Sequence, residues 1–138
     1  MPARYGFGRT LALSFDEALA KVTAELQKEG FGVLTEIDVK ATMKAKLGED
    51  MEDYLILGAC NPPLAYRAVN IDRQIGLLLP CNIVVRADPK ADGTVLIEAM
   101  DPQVLVDVTG DAELRPVADE VATKLQAAVD SLAASAAK

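Results

Sequence analysis

The sequence predicts an α+β domain, because strand and helix periodicities both occur, they do not strictly alternate, and the clearest adjacent strands form a hairpin. The chain has 138 residues, 51% hydrophobic and 25% charged, which is an ordinary soluble composition. A chain of this length buries roughly two thirds of its unfolded surface and needs no disulfide or metal to fold. No linker or internal repeat divides it, so the expectation is one domain over residues 1–138 with an ordered core of about 4–132.

Tyr5, Phe7, Arg9, Leu11 and Leu13 alternate with small or polar residues, the period of a strand with one face on a core. Ser14 with Glu17 is a capping box, and Phe15, Leu19, Val22 and Leu26 then recur at helical spacing until Gly30. Phe31, Val33 and Ile37 resume a strand, and Asp38 caps a short helix with the stripe Val39, Met43 and Leu47, stopped by Gly48. An acidic loop, Glu49, Asp50, Glu52 and Asp53, reads as a solvated segment. Tyr54–Leu57 is a buried strand, and Gly58-Ala59-Cys60-Asn61-Pro62 turns it into a helix with Asn61 as N-cap, Pro62 at the first helical position, and Leu64, Ala68 and Val69 inward.

Gly76–Arg86 is strand-like, although Pro80 in its middle demands an edge, a bulge or a break in the ladder. Asp88–Gly93 is a turn, and Thr94–Met100 returns as a hairpin strand with Val95, Ile97 and Ala99 on one face. Gln103–Val108 fits a strand or a short helix equally. Leu114, Val117, Val121, Leu125, Ala128 and Leu132 trace a long amphipathic helix, whose Ala-rich end from Ala133 is expected to fray.

Composition excludes several function classes. With 14 basic and 21 acidic side chains the net charge is -7, and no basic stripe is present to displace counterions, so nucleic acid is excluded as a partner. Zero histidines remove every Ser-His or Cys-His catalytic arrangement and every His-ligated zinc, copper or haem site. The apolar run Ile75–Leu79 is closed by Pro80, far short of the roughly 20 residues that span a bilayer. Met1–Leu13 holds no continuous apolar segment of the kind a signal peptide needs. A cytoplasmic protein without a membrane partner is therefore expected, with Cys60 and Cys81 as free thiols.

The special residues concentrate in two Cys-Asn pairs, Cys60-Asn61 and Cys81-Asn82, and these four are the candidate binding residues. Two thiols without histidine do not make a metal site, and neither a metal nor a cofactor is assigned. Cys60 immediately precedes a helix N-terminus, where the dipole is expected to lower its pKa below the free value near 8.5, making it the better nucleophile. The commoner role of such a cysteine is a small buried residue closing a strand. Cys81 follows the alternation Leu77, Leu79, Cys81, Ile83, Val85 and is expected to face the core. Asn61 is explained by capping. Asn82, an amide in an apolar strand, must find hydrogen-bond partners or face water. Gly6 and Gly8 lack the third glycine and the following helix of a nucleotide fingerprint.

The blocks Gly30-Phe31-Gly32-Val33-Leu34-Thr35-Glu36-Ile37-Asp38-Val39-Lys40, Ile56-Leu57-Gly58-Ala59-Cys60-Asn61-Pro62 and Gly76-Leu77-Leu78-Leu79-Pro80-Cys81-Asn82 together resemble the prokaryotic domain of unknown function 302 family, from about Ser14 to Leu132. The resemblance implies a TATA-binding-protein-like architecture, with helices on one face of a curved antiparallel sheet, and commonly a homodimer. It implies no activity, and the fold name carries no DNA-binding inference. The family pattern places Cys60, Asn61, Pro62, Pro80, Cys81 and Asn82 among its most recognisable positions, which coincides with the residues singled out above.

The leading expectation is a homodimeric small-ligand-binding protein without catalytic activity, its special polar residues set in apolar strands with no catalytic acid or base beside them. The alternative is a thiol-dependent sulfur-handling or redox protein that uses Cys60 with Cys81, a reading supported mildly by the family's frequent occurrence in organisms with active sulfur metabolism.

Overall fold

The computed structural model describes residues 5–136, with side chains described as far as Leu132. Five strands, β1 (Gly6–Leu11), β2 (Gly32–Asp38), β3 (Tyr54–Cys60), β4 (Cys81–Ala87) and β5 (Val95–Met100), form one sheet in the order β1-β5-β4-β3-β2. Every neighbouring pair is antiparallel. Helices α1 (Phe15–Lys28), α2 (Val39–Leu47), α3 (Pro62–Ile71), α4 (Gln103–Thr109) and α5 (Arg115–Ala136) connect or follow the strands.

The local signals act as their chemistry requires. Ser14 accepts from the Glu17 amide at 3.2 Å while the Glu17 carboxylate accepts from the Ser14 amide at 3.1 Å, so two orphan donors at the start of α1 are satisfied reciprocally. Asp38 accepts from the Ala41 amide and caps α2, which Gly48 ends in the left-handed region at φ 69°. The segment left open in the sequence, Gln103–Val108, is helical and forms α4, stopped by Gly110 at φ 69°. α5 continues to Ala136, through the Ala-rich stretch expected to fray.

Register sorts the side chains. Ile83 lies beside Leu57 and Ala99, and Val85 beside Leu55 and Ile97, so these six share a face. All six are buried, and all but Leu55 share one core cluster with Val22 and Leu26 of α1 and Leu125 and Leu132 of α5. Each of the fully buried leucines contributes about 1.5–3 kcal/mol by leaving water. The opposite face carries Ile56, Val84, Leu96 and Met100, all half-buried, and the cross-strand pair Arg86–Glu98 at 2.9 Å. α2 has no buried residue.

Two expectations are corrected. β4 begins at Cys81 rather than Gly76, because Pro80 has no amide to give a ladder; Arg73–Leu78 coils into a 3-10 helix, and Leu77, expected to point inward, is 84% exposed. β3 continues through Gly58 to Cys60 instead of turning at Gly58. That glycine serves close approach: a Cβ there would collide with the Thr35 hydroxyl and lie 2.7 Å from Pro80 Cγ. Gly8 is explained in the same way, since a Cβ at that position would collide with the Ile97 carbonyl of β5.

Candidate functional site

The end of β3 and the start of β4 meet the N-terminus of α3. Ala59 pairs with Cys81, so Cys60 is the last residue of its strand and Cys81 the first of its own. Between these ends and α3 lies a cavity of about 140 Å³. Phe31 and Leu34, Leu64 and Ala68 of α3 and Val121 of α5 line it, and Cys60, Asn61 and Cys81 supply the polar side chains of its wall. No charged residue lines it.

Asn61 holds this corner together. Its Oδ1 accepts from the Leu64 amide at 3.4 Å and caps α3, while its Nδ2 donates to the Glu29 carbonyl at 3.3 Å, just past the end of α1. Gly30, at φ 86°, lets the chain pass under the amide, for a Cβ there would sit 3.0 Å from Asn61 Nδ2. The side chain is thus a latch between two helix ends as well as a cap, a second role invisible without the tertiary structure.

Both cysteines are free. Burial pushes the Cys81 thiol up to about 11, the nearby charge of Cys60 adding to the effect. Burial also raises Cys60, which corrects the expectation of a depressed pKa. The cause is legible in the residues that follow. The positive end of a helix consists of unsatisfied amide groups, but Pro62 and Pro63 have no amide hydrogen, and the next one, on Leu64, is taken by Asn61. No donor remains there to stabilise a thiolate, so desolvation decides the direction.

Of the four candidate residues, Cys60, Asn61 and Cys81 line the cavity together. Asn82 does not join them. It pairs with Gly58 on the opposite face, is exposed, and borders a shallower concavity of about 350 Å³ with Tyr54, Val84 and Glu98. Sequence reasoning read Leu64, Ala68 and Val121 only as core positions; helical stripes identify buried residues but not which of them border empty space.

An open antiparallel sheet with helices over one face and a pocket at its strand ends defines a small α+β protein of two layers. The family is equally plain: the chain belongs to the family described as domain of unknown function DUF302, whose model matches residues 7–132. Among solved structures it is similar to the crystal structure of the uncharacterized conserved protein DUF302 from Bacillus stearothermophilus, with 30% identity and a TM-score of 0.83 over 93% of this chain and 98% of that one. No curated protein matches the chain. Among the described residues, no helix is long and apolar enough to cross a membrane.

Proposed function

We propose that this domain is a small-ligand-binding protein without catalytic activity, that its site is the cavity at the end of β3 and β4, and that it works as a homodimer. The single observation that carries the site is the convergence of Cys60, Asn61 and Cys81 on one concavity with no acid or base positioned for chemistry. Ala65 stands half-buried in the wall, so Ala65→Phe fills the space without disturbing a fully buried position. In a thermal-shift screen of fragments, at least one compound raises the melting temperature of the wild type and loses that effect in Ala65→Phe. A fragment set that stabilises neither protein, or both equally, sinks the site.

Homodimerism is supported by the sheet face opposite the core. Ile56, Val84, Leu96 and Met100 stand there around the Arg86–Glu98 pair, which leaves the face without net charge, as a self-complementary surface requires. Light scattering is expected to give the mass of two chains for the wild type and of one for Val84→Lys. A wild-type monomer contradicts the proposal.

The redox reading retains one observation in its favour, the closeness of the two thiols, which the effect of Cys60 on Cys81 reflects. Their protonation favours the binding reading, because a neutral thiol is a poor nucleophile. Alkylation of Cys60 in a Cys81→Ser background decides between the two: a pKa below about 8.5 makes thiol chemistry the function.

A further inference from the structure

Resting on the binding reading above, we infer that the cavity takes an uncharged, apolar group about the size of a benzene ring, whether a free molecule or the buried end of a larger one. Volume sets the size. An apolar cavity of roughly 150 Å³ accommodates benzene, and the space here, partly open to solvent, measures about 140 Å³.

The polar inventory sets the chemistry. The Asn61 amide, which is uncharged, already gives one Nδ2 hydrogen to the Glu29 carbonyl and one Oδ1 lone pair to the Leu64 amide hydrogen. The start of α3 offers no free N–H to an anion, because Pro62 and Pro63 carry none. No Lys, Arg, Asp or Glu reaches the wall. Among the described residues, no fully buried side-chain nitrogen or oxygen lacks a partner, so no such group calls for a polar ligand. Both thiols stay protonated at neutral pH, each raised by burial, and supply soft, polarisable surface rather than charge. A charged group entering the cavity would lose its hydration and gain no partner.

Titration of the isotope-labelled protein with benzene, benzoate and benzylammonium, followed by amide chemical shifts, tests this. Benzene is expected to perturb the amides of Cys60, Leu64 and Val121, and both ions to bind there at least about 100-fold more weakly. Benzoate or benzylammonium binding at those amides as tightly as benzene overturns the ligand class while leaving the site in place. Silence of those amides toward all three probes, benzene at its solubility limit included, overturns the site reading itself.

Discussion

In the folded protein at neutral pH, Cys81 is expected to react with iodoacetamide at least about 100-fold more slowly than in urea, since a thiol held at about 11 instead of 9.0 has about a hundredth of the thiolate. The same shift governs stability in alkali. Above about pH 9 the unfolded chain releases the Cys81 proton while the folded chain keeps it, so the unfolded state binds fewer protons and stability falls as pH rises. The contribution is fully present below about pH 9 and is gone by about pH 11. It amounts to about 2–3 kcal/mol over that window. Denaturant melts across the alkaline range measure it, with Cys81→Ala as the control that loses this part of the slope. Rapid alkylation of native Cys81 would mean that the thiol is not buried at the start of β4 as described.

The second large effect belongs to Asn61. Replacing it by alanine removes the cap of α3, worth about 1 kcal/mol, and strands the Glu29 carbonyl without its donor, worth about 1–2 kcal/mol more. A combined loss of about 2–3 kcal/mol is expected in chemical denaturation. Asn61→Asp separates the two roles. It keeps an acceptor for the Leu64 amide but turns a second acceptor toward the Glu29 carbonyl, so it should recover the cap and not the latch. Equal stability of Asn61→Asp and the wild type would remove the latch from the account.

Local chemistry explains which parts of this molecule can be read from its sequence. Ser14, Asp38 and Asn61 each act on amides within three residues, and Gly48 adopts the left-handed geometry that only a few residue types tolerate. Such features need no knowledge of the rest of the fold. The stripe Leu114, Val117, Val121, Leu125, Ala128 and Leu132 is likewise a local period, and all six residues are buried. Errors arise where two local signals compete. Leu77 and Leu79 continue the alternation of β4 into a segment that Pro80 excludes from the ladder. Gly58 carries the same letter whether a chain turns or another element comes close, and the second case holds here because Thr35 and Pro80 crowd it.

The site was legible in part for the same reason. Two Cys-Asn pairs mark unusual positions, and the alternation that turns Cys81 inward must turn Asn82 outward, so their separation onto two faces follows from the strand period. The convergence of Cys60 with Cys81 depends on the pairing of Ala59 with Cys81, a contact between residues far apart in the chain. The direction of the Cys60 shift was present in the Pro62-Pro63 pair, whose missing amide hydrogens outweigh the position before a helix. The wall residues Phe31, Leu64 and Val121 come from three separate segments, and only the packed structure shows that they leave a space between them.

The central claim is that the space between Cys60, Leu64, Cys81 and Val121 is an apolar binding cavity. Diffraction from crystals of the protein pressurised with xenon tests it most directly, because xenon occupies dry apolar cavities of this size. The account predicts a xenon peak bounded by those four side chains, absent from Ala65→Phe. A chain of ordered waters in the same place, hydrogen-bonded to the two thiols and to Asn61, would contradict it.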